Sequence, residues 1–368
     1  YQSANPKDLE GLDPAFLEQA KEENPEGAKP SFRFSLNQDS YSTIMSNAKN
    51  RQLRAHFYHA YNQLASELGP DATFDNTQTI LKMLETRDQM AKLLGYQNYI
   101  SYTLETRMAA SQQEIEDLLI KLANKAQNKA QQEIQNLKAL AQKDGLESIK
   151  AWDIAYYQEQ YQQKNFAINE EELRAYFPLE HVLTGLKSIL QALFGIHFKQ
   201  THDASWHEDV LVFNLYKEGQ EKAFAQIYMD LYNRKGKQSG AWMNGLSTHL
   251  DTKTHKQLPI GLLCCNFRKM QKCQPSLLSH DDVVTLFHEF GHNLHHILST
   301  VPYLEVSGLN QVARDFIELP SQWFEFYAWD PKTLKTLSCH YQTKKPLDSK
   351  TIRNLIASKN SFSGMQTQ

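Results

Sequence analysis

The sequence predicts a mostly α-helical protein with a small antiparallel β-sheet, and three observations carry that prediction. Apolar residues recur at helical spacing through the first two hundred positions, short β-branched and aromatic runs take over from about Phe198, and helical patterning returns at Ser279. The first helical series is Leu53, Phe57, Tyr58, Tyr61, Leu64 and Leu68. The second, Ile80, Leu81, Leu84, Met90, Leu93 and Leu94, stops before Gly95, whose access to positive φ suits a helix C-terminus. From Ser111 to Lys143 a Gln- and Lys-rich stretch keeps Ile115, Leu118, Leu119, Leu122 and Ala126 in register, which predicts a long, partly exposed helix. Its acidic and basic residues alternate, so it reads as a solvated face and not as a nucleic-acid surface. Strands are expected over 210–216, 223–232 and 259–267, each bounded by Gly, Asn or charged clusters.

Composition narrows the class. The 368 residues carry a formal net charge of −3, with 41% hydrophobic and 22% charged residues, as in soluble globular proteins. No run of about 18 apolar residues occurs, so neither a membrane span nor a membrane partner is expected, and the charge balance gives no reason for a nucleic-acid partner. Cys264 and Cys265 are adjacent, Cys273 and Cys339 stand apart, and no CxxC pair is present. Free thiols in a reducing, cytoplasmic compartment are therefore expected.

The chemistry concentrates in FHEFGHNLHHIL, residues 287–298. His288, Glu289 and His292 form an HExxH arrangement, and Ser279 followed by Asp282 reads as a capping box that starts a helix just upstream. Four residues on a helix turn the chain by about 400°, so the two imidazoles point the same way and can share one ion. Glu289 lies about 100° to the side, where a carboxylate can take a proton from water. A catalytic zinc takes three protein ligands, and no further His follows at the metzincin spacing, so a carboxylate is expected. Glu305, Asp315, Glu318 and Glu325 are the candidates. Glu318 is favoured because it sits among Phe316, Ile317 and Leu319 near a helix entrance, where a carboxylate needs a partner and Pro320 is tolerated in the first turn. Glu325 is its rival. His295 and His296 read as core residues or supports of the ligands, and Asp315, Gln322 and Glu325 as possible orienting groups.

FHEFGHNLHH together with RDFIELPSQ resembles the HEFGH and DxxExPSQ pairing of the oligopeptidase A and thimet oligopeptidase family of zinc metallopeptidases. WDIAYY from Trp152, LYNRKGKQSGAWM from Leu231 and CNF from Cys265 look like stretches of its bacterial oligopeptidase A branch, and Gly308 with the following LNQVA resembles its substrate-side loop. The resemblance covers nearly the whole chain and places the third ligand at Glu318. It implies a zincin-like catalytic core on one wall of a deep channel, with residues 1–197 a helical channel wall and 198–368 the catalytic region. The family's N-terminal helical segment and its Gly- and Tyr-rich oxyanion segment have no counterpart here, so the chain resembles an internal fragment.

The expected function is zinc-dependent endopeptidase action on short peptides, with one Zn2+ per chain held by His288, His292 and Glu318 and Glu289 as general base. A catalytically incomplete peptide-binding fragment and a dipeptidyl carboxypeptidase of the same family are the alternatives. The full-length form is expected to be a monomer, and strand 262–267 to be the one an extended peptide could pair with.

Overall fold

Helices do form most of the protein. The structure, a computed structural model, describes residues 2–3, 6–21, 31–69, 71–269 and 275–367, and these divide into two compact units, 1–167 with 357–368, and 168–356. Cys273 lies outside the described residues.

In the first unit, helices α1 (Pro14–Ala20), α2 (Gln38–Asn47), α3 (Arg51–Asn62), α4 (Thr77–Leu93), α5 (Tyr99–Leu104), α6 (Gln112–Lys143) and α7 (Ala151–Phe166) accompany a short pairing of β1 (Gln2–Ser3) with β2 (Phe32–Arg33). One apolar core joins Phe34, Ile44, Leu53 and Phe57. Beside it, Asp153 is fully enclosed and receives Arg51 at 2.7 Å, Arg54 at 2.9 Å and the Lys150 backbone N–H at 2.9 Å. Helix α3 ends earlier than its apolar spacing predicts. The chain turns through positive φ at Ala65, which leaves Leu64 and Leu68 on the surface. The predicted end of α4 is present, with Gly95 at φ +87° and the Tyr96 N–H reaching back to the Ala91 carbonyl. Helix α6 starts where Ser111 accepts the Glu114 N–H. Its first half exposes Leu118, Leu119 and Leu122, while Leu137 and Ala141 pack on Tyr157 and Phe362.

The second unit contains α8 (Glu170–Arg174), α9 (Leu179–Phe194) and a five-stranded sheet. Its strands are β3 (Ile196–Thr201), β4 (Leu211–Lys217), β5 (Ala225–Tyr232), β6 (Trp242–Ser247) and β9 (Ile260–Phe267), with β7 (Leu250–Asp251) and β8 (Lys256–Gln257) forming a separate hairpin. The order is β3-β4-β5-β9-β6, and it departs from the expected antiparallel sheet: β5 and β9 run parallel, while the other neighbours run antiparallel. The reason is the crossover. After β5 the chain leaves the sheet through residues 233–241, lays down β6 as an outer strand and returns through the hairpin to insert β9 between them. The strand expected to be open to a peptide is thus interior; β3 and β6 are the edge strands, and β6 is the one beside it.

Helix α10 (His280–Ile297) lies on the sheet, with Val283, Leu286, Phe287 and Phe290 fully buried. Its start is the predicted capping box: Asp282 N–H donates to Ser279 Oγ at 3.0 Å, and Ser279 N–H to Asp282 Oδ2 at 2.8 Å. Helix α11 (Arg314–Trp329) packs antiparallel to α10, and α12 (Pro331–Leu337) and α13 (Ser349–Ser358) follow; α14 (Ser363–Thr367) belongs to the first unit. Since α11 begins at Arg314, Pro320 lies in its second turn and not in the first as expected; it withholds the N–H that the Phe316 carbonyl would accept.

Candidate metal centre

The α10/α11 pairing decides where the polar groups meet. Rings of Phe287 and Phe324 stack with centroids 5.1 Å apart, and His280 Nε2 lies 2.9 Å from the Ala328 carbonyl oxygen. Between these and the far end, the helices touch backbone to backbone at Gly291: a β-carbon there would lie 2.6 Å from Ser321 Cα and 2.9 Å from the Pro320 carbonyl oxygen. This contact brings the face holding His288 and His292 against the face holding Glu318 and Glu325.

Glu318 Oε2 lies 3.3 Å from Nε2 of both His288 and His292. One donor atom from each of the three residues lies within 4.8 Å of the others, and among the described residues this is the group of three such side chains able to share an ion. Two imidazoles and one carboxylate converging on a common point, with Glu318 half exposed to solvent, form a donor set that fits zinc. Glu325 Oε1 meets the opposite nitrogen of His288, Nδ1, at 2.6 Å, which fixes the orientation of that ring. Of the four carboxylates considered, Glu318 joins the cluster, Glu325 supports it from behind, and Glu305 and Asp315 are exposed outside it. Gln322 also faces outward.

The setting of Glu318 differs from the apolar one expected. Its side chain is 52% exposed, and Phe316 and Leu319 are exposed too, because consecutive helical residues point in different directions. What holds it is Ser321, whose hydroxyl donates to the Glu318 carbonyl oxygen at 2.8 Å and lies 3.2 Å from Oε2.

Glu289 is buried beside these groups. Burial pushes its carboxyl above the usual range, the neighbouring His288 pulls it down and the Glu318 charge pushes it up again, leaving it raised. Burial lowers the His292 pKa and so favours the neutral imidazole that a metal requires. Two residues escaped the sequence reading in their detail. Asn293 is fully buried, donates to the Glu289 carbonyl oxygen at 3.1 Å and rests against Gly261 of β9. His296 reaches the Ser247 carbonyl of β6. Both lie at helical spacing from the motif, but only the sheet they touch gives them a task. Cys264 and Cys265 are free and buried, and burial raises both thiols, that of Cys264 to about 11, so neither is poised as a nucleophile.

Residues 44–368 match the description of peptidase family M3. Oligopeptidase A of Escherichia coli is 37% identical over 359 residues, which is 96% of this chain and 52% of the relative. A probable cytosolic oligopeptidase A of Arabidopsis thaliana is 34% identical over 370 residues, 96% of this chain and 52% of the relative. Dipeptidyl carboxypeptidase of Escherichia coli is 34% identical over 273 residues, 73% and 39% of the two chains. The chain spans about half the length of the curated relatives it matches. With most of its residues matched and nearly all of them aligned to such relatives, the chain belongs to peptidase family M3.

Proposed function

We propose that this chain carries the catalytic core of a zinc-dependent endopeptidase acting on short peptides, with His288, His292 and Glu318 holding one Zn2+ and Glu289 as the general base. The observation that carries this reading is the convergence of both Nε2 atoms on Glu318 Oε2 with a buried, proton-avid carboxylate in the next position of the same helix. Zinc, when bound, supplies Lewis acidity to the scissile carbonyl and the attacking water. Glu289 takes the proton from that water and delivers it to the leaving amine, and its raised pKa suits both halves of the transfer. Glu325 holds the His288 ring through Nδ1, and Ser321 holds Glu318. The free edge of β6 is where an extended peptide backbone can add. The E. coli dipeptidyl carboxypeptidase relative supports a second reading, exopeptidase action at a free C-terminus.

A cytoplasmic monomer remains the proposed state; among the described residues no helix is long and apolar enough to cross a membrane. The test is to load the protein with zinc, count metal per chain, and map products from a fluorogenic peptide with free and with amidated C-terminus. Internal cleavage of both supports an endopeptidase, loss of cleavage on amidation supports the carboxypeptidase, and zinc uptake without cleavage of either leaves a peptide-binding role.

A further inference from the structure

We propose that His296 is a positioning residue whose ring, set between Gly245 of β6 and Gly308 of the turn before α11, holds the β6 edge of the sheet in place beside the helix of the proposed metal ligands. This rests on the peptidase reading above, in which β6 receives the substrate backbone.

His296 lies one helical turn beyond His292 and is 2% exposed. Its Nε2–H donates to the Ser247 carbonyl at 2.9 Å. That carbonyl sits where the pairing of β6 with β9 slips: Gly245 pairs with Gly261 and Ser247 with Ile260, leaving Leu246 outside the ladder and its side chain exposed. A slip of this kind interrupts the regular ladder, and the buried imidazole supplies a donor to the carbonyl beside it. Glycines flank the ring on both sides. A β-carbon on Gly245 would lie 2.6 Å from His296 Cε1, and one on Gly308 would lie 2.9 Å from the same atom. Gly308 has φ +64°, a conformation that favours glycine by itself, but Gly245 is not among the residues of positive φ. At Gly245 it is the imidazole that excludes a side chain. Two separate segments are thus cut back to admit one ring, and the ring in turn spaces the sheet edge from the helix that carries His288, Glu289 and His292. A residue that merely filled this volume would need no donor aimed at the irregular point of the strand.

The consequence falls on substrate placement and not on the proton transfer. In the zinc-loaded full chain, His296→Leu, which fills the space without a donor, is expected to retain one zinc per chain and to raise KM for an oligopeptide at least about tenfold while kcat stays within about threefold. Amide hydrogen exchange over residues 245–258, read in zinc-free protein, is expected to accelerate. His296→Gln, whose amide can reach the same carbonyl, is expected to restore both. Gly245→Ala, which presses on the ring from the strand, is expected to reproduce the KM rise should the Leu variant fail to fold. The proposal is overturned if His296→Leu matches wild type in KM and exchange, if Gln fails as fully as Leu, if zinc is lost, or if Gly245→Ala leaves KM unchanged. Should wild-type protein take up zinc and cleave nothing, the peptidase reading fails, and the exchange comparison still decides the role of His296.

Discussion

At the scale of single residues, the proposed mechanism separates binding the metal from moving the proton. Glu289→Gln keeps shape and hydrogen-bonding capacity but cannot accept a proton, so it is expected to retain one zinc per chain and lose about 100- to 10,000-fold in kcat. Metal content measured beside turnover checks this, and near-normal turnover at full zinc occupancy would remove Glu289 from the mechanism. Glu325 acts one bond further out. Its contact with His288 Nδ1 holds the ring with Nε2 toward Glu318, so Glu325→Ala is expected to weaken zinc affinity about 10- to 100-fold. A competition titration with a chelator reads this directly, and an unchanged affinity would reduce Glu325 to a bystander.

Helices α10 and α11 act as one element. Gly291 is their closest point, and Gly291→Ala would drive a methyl group into the Ser321 backbone, forcing the helices apart. The expected cost is about 1–3 kcal/mol of stability, with weaker zinc binding because Glu318 rides on the displaced helix. Denaturant titration with and without zinc tests both. If stability falls with affinity intact, the site tolerates a shift between the helices. What the sequence shows of these elements follows from the range of the interactions. The start of α10 is legible in Ser279 and Asp282 because a capping box is complete within four residues, and convergence of His288 and His292 follows from helical pitch alone. The parallel pairing of β5 with β9 is not legible, since the partners are joined by a long excursion through β6 and the hairpin, and nothing in either strand names its neighbour. Pro320 misleads because helix propensity assigns it a first turn, while packing on Gly291 sustains the helix before and after it. The exposure of Glu318 escapes notice for a similar reason: apolar neighbours in sequence are not neighbours in space on a helix.

At the scale of the whole molecule, each unit encloses an aspartate between two cations. Asp153 meets Arg51 and Arg54 in the first unit, and in the second Asp230 meets Arg234 at 2.5 Å and Lys237 at 2.8 Å, with Trp206 Nε1 donating at 2.9 Å. Burial alone would raise both carboxyls, but these hydrogen bonds outweigh it and hold both below the usual range. A lowered folded pKa gives stability that is fully present above the unfolded value near about 3.9 and is lost as pH falls through it toward the folded value. Melting temperatures are therefore expected to drop steeply below about pH 4, and Asp153→Asn or Asp230→Asn to flatten that acid limb. An unaltered limb in both variants would assign acid sensitivity elsewhere. Replacing Asp153 by Ala takes the carboxylate from the buried Arg54 guanidinium, Arg51 being partly exposed, and is expected to cost about 3–5 kcal/mol. The antiparallel pairing of α10 with α11 also bears on the order of assembly. The two helices are separated by one short stretch of chain, so their contacts close a small loop, whereas β9 must wait for a long excursion to return before it can join β5. The three candidate metal donors are expected to meet early, before the strand beneath them is in place. Pulse-labelled hydrogen exchange during refolding would show α10 amides protected ahead of those of β9, with zinc present from the start accelerating the first phase and leaving the second unchanged.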